Sequence, residues 1–231
     1  MERVIKPEIL DTLKPDDPAA LHNRRDLRLF NLAMGNYRWM ARSIRHTVHP
    51  GEPILEIGAG MGDLGFHLLS KGVAKDQMPD NHDALPALPA CSYAGLDLWP
   101  RPTAWPRNWD WYQADLTSFA DYHRYPVLIG NFILHQFEDA VIRDLFARIV
   151  PDLRVILFCE TVRRPLHLYQ LPIGNVFGMN DVSRHDARVS IEGGFYRNEL
   201  PELMQLDPTE WTINVKMTLL GAYRLQAIRR E

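Results

Sequence analysis

The sequence predicts an α/β fold: a doubly wound, mostly parallel sheet of seven strands that ends in an antiparallel hairpin. Three observations predict it. Short apolar runs alternate with amphipathic segments between residues 54 and 159, as expected for parallel strands joined by helices. The first run leads into closely spaced glycines, which is typical of a strand-to-helix turn. Two alternating segments, 211–217 and 223–229, flank Leu220-Gly221 and predict the hairpin.

Residues 1–50 are expected to form an N-terminal arm and a helical lid. The first 20 residues are polar and hold three prolines, which indicates an arm over the surface with at most a short helix. Over residues 21–48 the apolar side chains recur every three or four positions, which predicts a helical segment bent near Gly35. This segment contains six arginines and a single acidic residue, Asp26. We expect the arginines to form a solvated basic face of the helix.

Residues 51–231 are expected to form the main domain. Its first strand is predicted at 54–57, followed by a helix from Asp63 to Ser70 that Gly72 ends. Further strands are predicted at 92–98, 111–114, 127–131 and 155–159, and helices at 137–150 and 198–206. Residues 72–92 indicate an inserted loop. The polar segment 161–196 is predicted to be irregular and to cover the substrate.

Composition excludes several classes of protein. The chain has 231 residues, of which 46% are hydrophobic and 24% are charged, so it is neither disordered nor collagen-like. A formal net charge of −3 disfavours a nucleic-acid partner. Cys91 and Cys159 lie far apart, which excludes a disulfide framework and a cysteine zinc site and is typical of the cytoplasm. No metal site, secretory signal or membrane span is predicted.

The strongest motif is Glu56-Ile57-Gly58-Ala59-Gly60-Met61-Gly62, in which a strand runs into a helix through three spaced glycines. A residue without Cβ lets a ligand lie against the turn, and the next helix offers its amide N–H groups. Two nucleotide-type ligands use such a turn. One is a dinucleotide, because residues 60–65 also spell GxGxxG, and the other is S-adenosylmethionine.

Charge favours S-adenosylmethionine. Glu56 lies at the strand end and Asp63 at the helix start, where both would repel a pyrophosphate. A methionine portion carries an ammonium and a sulfonium instead, and a carboxylate attracts both. The register agrees, because the strand leads directly into Gly58 and not into Gly60.

Three later strand ends carry candidate cofactor ligands. Asp97, followed by Leu98, ends the second strand and can accept from both ribose hydroxyls. Asp115 follows the third strand and can accept from the adenine amino group while the Leu116 amide meets a ring nitrogen. Asn131 ends the fourth strand, where the strand order reverses and ligands bind. For each, a plain turn or capping role stays open.

The chain resembles the class I S-adenosylmethionine-dependent methyltransferases over roughly residues 30–229. The motif 56–62, the acidic strand ends and the stretch Asn131-Phe132-Ile133-Leu134-His135-Gln136-Phe137-Glu138 carry the resemblance. Around Leu134-His135 it is similar to bacterial small-molecule enzymes, including the quinone-biosynthesis type. The segment Arg184-His185-Asp186, with Ser190 and Phe195, is similar to one uncharacterised bacterial subfamily.

The resemblance implies a Rossmann-like methyltransferase fold and S-adenosyl-L-methionine as cofactor. It implies that 56–62 lies at the methionine part, Asp97 at the ribose and Asp115 at the adenine. The predicted cofactor-binding residues are Glu56, Gly58, Ala59, Gly60, Gly62, Asp97, Leu98, Asp115, Leu116 and Asn131.

The chain departs from this family at two places. The stretch 72–92 is longer than usual, and residues 99–110, with three prolines, replace an expected helix. The tryptophans there either roof the adenine or form a small apolar cluster. After Asn131 the chain lacks the prolines of amino-methylating nucleic-acid enzymes and has no cysteine, so neither amino nor cysteine-adduct methylation of a base is favoured.

Methylation of a hydroxyl or carbon acid needs a base, for which His135 and His185 are the candidates. Each also has a structural interpretation: His135 as a packed residue at a helix start, and His185 as a loop residue held by Asp186. The predicted substrate-binding residues are Arg184, which suits an acidic substrate, Glu160, at the end of the fifth strand, and Arg38, which with Tyr37 would close over the methionine carboxylate.

The sequence therefore predicts methyl transfer to a small molecule, with a phenolic or related aromatic oxygen favoured and carbon next. Two other classes stay open: a nicotinamide oxidoreductase, and a protein that binds S-adenosylmethionine without turnover. A third idea is RNA methylation through the arginines of 24–45, for which steep salt dependence would be the signature. The oligomeric state has no sequence signal.

Overall fold

A computed structural model describes residues 1–14, 17–73, 92–176 and 178–231; the side chains of 71–73 and 172–176 are not part of that description. Seven strands form one sheet in the order β3-β2-β1-β4-β5-β7-β6. The strands are β1 (Ile54–Ile57), β2 (Tyr93–Asp97), β3 (Asp110–Gln113), β4 (Val127–Asn131), β5 (Val155–Thr161), β6 (Trp211–Met217) and β7 (Ala222–Arg229). The first five are parallel, and β7 pairs antiparallel with both β5 and β6. The predicted fold class is confirmed.

Helices cover both faces of this sheet. They are α1 (Pro18–Met34), α2 (Asn36–Thr47), α3 (Asp63–Val73), α4 (Asp139–Ile149), α5 (Pro165–Val176), α6 (Asp181–Gly193) and α7 (Glu199–Leu203). The central strands are buried on both faces, and all seven residues of β5 are buried. One apolar core lies under α4 and α7, and the other lies under α2 and α3. This two-sided burial explains why the central parallel strands are largely apolar, whereas the edge strand β3 is not.

The predicted bend near Gly35 is confirmed. Gly35 lies between α1 and α2 with φ +68° and donates its amide hydrogen to Leu32 O. This left-handed conformation favours glycine and ends α1. At its other end, α1 begins with Pro18, and the Asp17 carboxylate caps it by accepting from the Ala19 amide.

Two sequence predictions about helices, one at Gly72 and one over 161–196, are wrong. Gly72 does not end α3, which continues to Val73. The segment 161–196 is not irregular, because it contains α5 and α6. Pro172 and Gly174 hide α5 in the sequence, and α6 buries polar residues on its inner face, so it shows no clear apolar period. Most of the predicted loop 72–92 lies outside the described residues.

Two tryptophans of the segment before β3 and one tryptophan of β3 itself form an aromatic cluster behind the glycine turn. Trp105 is buried and meets Trp109 and Trp111 edge to face, at centroid distances of 5.4 and 4.9 Å. A Cβ built on Gly62 would lie 2.6 Å from the Trp105 ring, and Gly62 has φ +78°. The cluster is therefore part of the core, and Gly62 is a glycine because the indole lies directly against it.

We expect Gly62→Ala to lower the free energy of unfolding by at least ~2 kcal/mol, because it overpacks the indole and strains the backbone. Urea unfolding measures the change. Gly51→Ala is the control: Gly51 also has a positive φ, +87°, but a Cβ there meets nothing within 4 Å. Equal destabilisation of the two variants would contradict the steric role assigned to Trp105.

Candidate functional site

A cavity of about 1140 Å³ opens above the carboxyl ends of the parallel strands, at the point where β1 and β4 lie side by side. This is the place where open α/β sheets bind ligands. One end is lined by the strand ends and the glycine turn. The other is lined by the N-terminal arm, α1, α5 and α6. We refer to them as the strand end and the helix end of the cavity.

The glycine turn forms the floor of the strand end. Gly58, Gly60 and Gly62 all have positive φ, at +65°, +55° and +78°. A Cβ on Gly58 would lie 2.5 Å from Ile133, so Gly58 and Gly62 are needed by the protein itself. Among the described residues, a Cβ on Gly60 meets nothing within 4 Å. Gly60 is therefore the position where the turn leaves space for a ligand.

Asp97 is held in place beside this turn. Its Oδ2 accepts from the Gly60 amide at 2.7 Å, and its Oδ1 accepts from the Trp99 amide at 2.9 Å. Burial raises the pKa of Asp97, although these amides oppose the shift. Each carboxylate oxygen keeps a second lone pair for a ligand. Leu98, the next residue, is 67% exposed and lines the cavity.

Glu56 is a buried acidic side chain at the strand end of the cavity. It is 2% exposed, and its Oε2 accepts from the Tyr93 hydroxyl at 2.6 Å. Burial raises the pKa of Glu56 to about 8, with further contributions from Asp97 and Asp63. Burial also raises the pKa of Asp63, although Arg28 lies 3.6 Å away. A cationic ligand would favour the ionised forms of these acids.

The other predicted cofactor residues also line the strand end. The Asp115 Oδ1 atom accepts from both the amide and the hydroxyl of Thr117 at 2.7 Å, so Asp115 organises a turn in addition to facing the cavity. Leu116, beside it, is buried. The Asn131 Oδ1 atom is buried and has no hydrogen-bond partner among the described residues. Phe132, which follows it, has φ +58°, a strained conformation of the kind found at functional sites.

The tryptophan alternatives divide between residues. Trp105 belongs to the core, as described above, but Trp99 lines the cavity. The Arg24 guanidinium lies 4.2 Å from the centre of the Trp99 ring. Trp99 is therefore the tryptophan of this segment that can contact a ligand at the strand end.

His135 is locked between two carboxylates. Its Nδ1 lies 2.8 Å from Glu160 Oε2, and its Nε2 lies 3.1 Å from Glu8 Oε1. Burial alone would lower the pKa of His135, but Glu160 and Glu8 outweigh it and raise the pKa to about 10. The charged ring donates both of its hydrogens, so it has no lone pair to accept a proton. The predicted role of His135 as a base does not fit this arrangement.

Glu160 also departs from its predicted role. It is fully buried below the cavity, and its Oε1 accepts from the amides of Ile133 and Leu134 at 3.0 and 2.7 Å. It fixes the turn that follows β4 and orients His135. It is not among the residues that line the cavity.

Three further predicted residues lie outside the cavity as the described residues form it. Arg38 is exposed on α2. Arg184 is exposed on α6 and pairs with Asp181 at 2.6 Å. His185 is also exposed, with its Nδ1 atom 3.0 Å from Asp186 Oδ1. Because residues 181–193 form a helix, the outward face of α6 carries Arg184, predicted to bind substrate, and His185, predicted as a base, away from the cavity.

The N-terminal arm supplies residues of the cavity and its surroundings that the sequence does not predict. Arg3 binds Asp139 Oδ1 at 2.5 Å and the Gly193 carbonyl at 2.7 Å. Asp186 accepts from the amides of Ile9 and Leu10 at 2.8 and 3.1 Å. Glu8, Leu10, Asp11 and Leu13 of the arm line the cavity. No local pattern signals these contacts, since their partners lie more than 100 positions away.

Two kinds of site are absent from the described part of the chain. It holds no group of three or more His, Cys, Asp or Glu side chains placed to bind a metal ion. None of its helices has the length and apolarity needed to cross a membrane.

Comparison with known proteins shows a shared fold. Neither a family model nor a curated protein matches the sequence. The plantazolicin methyltransferase BamL, in complex with a triazolic desmethylPZN analog and SAH, has a TM-score of 0.67 at 8% identity, covering 96% of this chain and 93% of that one. BpumL, with a pentazolic analog and SAH, has a TM-score of 0.65 at 11% identity, covering 93% and 92%. Human N-acetylserotonin methyltransferase in complex with SAM has 0.55 at 14%, covering 96% and 61%.

The contacts of His135 predict how stability depends on pH. The ordinary histidine pKa is 6.5 and the folded value is about 10, so the folded state binds the extra proton between these values. Its contribution is complete below pH 6.5 and is lost as the pH rises through 10. His135→Gln should lower the free energy of unfolding by about 3 kcal/mol at pH 7.

The difference in free energy of unfolding between wild type and His135→Gln should narrow as the pH rises from 7 towards 10, as measured by urea unfolding at each pH. His123→Gln, at an exposed histidine, is the control and should follow the wild type. A gap that stays constant with pH would mean that His135 is not charged in the folded protein.

Proposed function

We propose that the protein binds S-adenosylmethionine at the strand end of the cavity and transfers its methyl group to a small-molecule acceptor at the helix end. The observation that carries the proposal is the strand end itself, where Glu56 and Asp97 lie beside a glycine turn that leaves space at Gly60. The fold is that of structures named as methyltransferases with SAM or SAH bound, which supports it.

The residues present fit this cofactor. Glu56, whose pKa is raised by burial and by the neighbouring acids Asp97 and Asp63, suits the methionine ammonium. Asp97 suits the two ribose hydroxyls through the lone pairs left on its oxygens. Asp115 and the Leu116 amide suit the adenine, and Asn131 offers an unpaired oxygen. The cofactor supplies an electrophilic methyl on a sulfonium, and the protein supplies alignment and a dry cavity.

The helix end has room for an acceptor. Pockets for a single small molecule measure ~300–1,000 Å³, whereas this cavity measures about 1140 Å³. The arm and α1, from residues 1–50, and α5 and α6, from 161–196, would cover the acceptor in this proposal. A reaction in the cytoplasm fits the free thiol of Cys159.

The charges around the cavity restrict the acceptor. Its described lining includes eight acidic side chains, against the cations Arg24 and His135. An acidic acceptor is therefore disfavoured, and so is a nucleic acid, whose phosphates require basic contacts. The walls of the helix end are largely apolar, with Leu27, Phe30 and Met179 among them. A neutral aromatic acceptor with a hydroxyl group fits best, with a carbon acceptor next.

Gly60→Ala tests the cofactor site. The added Cβ meets open space in the protein but projects where the cofactor would lie, so we expect SAH affinity to fall at least ~10-fold by calorimetry. Gly51→Ala, with similar backbone strain far from the turn, should keep the wild-type affinity. Wild-type affinity in folded Gly60→Ala would remove the site. Binding of NADH in place of SAH would support the oxidoreductase alternative.

Proton release tests the role of Glu56. The free protein holds a proton on Glu56 below pH 8, and the ammonium of SAH would displace it. Calorimetry at pH 7 in buffers of different ionisation enthalpy should therefore show release of roughly one proton on binding. Affinity should rise with pH up to about 8. Glu56→Gln should abolish the release, and an equal proton count in both proteins would contradict this role.

A further inference from the structure

A second cavity histidine differs from His135 in having a ring nitrogen without a partner. His167 lies in the first turn of α5, lines the cavity and is 4% exposed. Its Nε2 atom is buried and has no hydrogen-bond partner in the parts of the chain that the structure describes. Buried polar atoms in folded proteins are almost always paired, so an unpaired nitrogen on a residue that lines the cavity points to a partner from outside the described chain.

The neighbours of His167 identify the chemistry of that nitrogen. The Nδ1 atom lies 2.9 Å from Gln170 Oε1, while the Gln170 amide nitrogen donates to Leu219 O at 3.4 Å. This second contact orients the amide so that its oxygen faces the ring. Nδ1 must then donate, and in the neutral ring Nε2 carries the lone pair. The missing partner is therefore a hydrogen-bond donor.

The ring is also held in place by packing. Gly221, in the turn between β6 and β7, has φ +87°, and a Cβ there would lie 3.2 Å from Nδ1 and 3.3 Å from Cγ of His167. The glycine lets the turn lie flat against the imidazole. Packing on one side and Gln170 on the other leave the ring little freedom, as a positioned proton acceptor requires.

We propose that His167 is the general base, which accepts the proton of an aromatic hydroxyl through Nε2. This rests on the proposed methyl transfer. As the hydroxyl oxygen bonds to the methyl carbon, its proton passes to Nε2, and the electron pair of the carbon–sulfur bond stays on sulfur. The positive charge lost by the sulfonium is then carried by the His167 imidazolium until water removes the proton.

The test uses SAH-loaded full-length protein and para-cresol, a neutral phenol that binds without reacting because SAH has no methyl group to transfer. Nuclear magnetic resonance of isotope-labelled histidine reports the protonation of each ring nitrogen. We expect an unprotonated Nε2 signal, assigned by its loss in His167→Gln, that shifts when the phenol is added. We also expect His167→Gln and His167→Phe to weaken phenol binding about tenfold while keeping the wild-type affinity for SAH.

His46→Gln, at an exposed histidine on α2, is the matched control and should bind the phenol as the wild type does. An Nε2 signal that is already protonated, one that does not respond to the phenol, or a phenol that binds the variants and wild type equally or binds neither would overturn the proposal. Where His167→Gln does not fold, His167→Phe supplies the assignment of the signal. SAH calorimetry on the same protein tests the proposed function separately: failure to bind SAH would contradict the cofactor site, whereas failure of the His167 signal with SAH bound would contradict only the proposed base.

Discussion

The charged histidine between Glu160 and Glu8 is the interaction on which the site depends. Glu160 belongs to β5, His135 to the turn after β4, and Glu8 to the N-terminal arm. The imidazole ring therefore joins the sheet to the arm that lies over the cavity. Removing one partner from a buried ion pair costs ~3–5 kcal/mol, because the charge that remains is uncompensated. With three groups, two negative and one positive, the loss of the imidazolium would leave two carboxylates facing a low-dielectric interior.

Around this ring, further hydrogen bonds join the N-terminal arm to α6. Glu8 also accepts from Ser190 of α6 at 2.5 Å, and Asp186 on the same helix binds the arm backbone. The arm is therefore fastened along its length to α6. Asp11, which follows, has its pKa raised to about 6 by burial and by repulsion from Glu8 and Asp186. Opening the arm would relieve that repulsion but break the bonds to His135, so the closed form depends on the imidazolium.

The sequence predicted the strand end far better than the helix end, for a physical reason. The turn at Gly58 and the acid Asp97 follow from local requirements: positive φ, close approach of backbone, and the ends of neighbouring parallel strands. By contrast, Glu8 meets His135 across 127 positions, and the buried face of α6 mixes polar with apolar residues. A period in the sequence reveals burial of apolar residues only. Helix α6 buries Ser183, which binds Asp26 of α1, and Asp186, which binds the arm, beside Val189 and Ile191, so the sequence predicts neither the helix nor its partners.

The two buried histidines of the cavity also show that a residue's chemistry depends on partners that the sequence does not reveal. His135 and His167 both line the cavity and both are buried, yet their partners give them opposite properties. Carboxylates on both nitrogens make His135 a cation that holds its protons, whereas an amide oxygen on one nitrogen leaves His167 with a lone pair. A residue type with one ordinary pKa thus fills two roles, one that fastens the arm and one that can accept a proton. The three-dimensional placement of Glu8, Glu160 and Gln170 separates the two roles. Glu8 and Glu160 lie too far from His135 in the sequence to be assigned from spacing, whereas Gln170 lies one helical turn beyond His167.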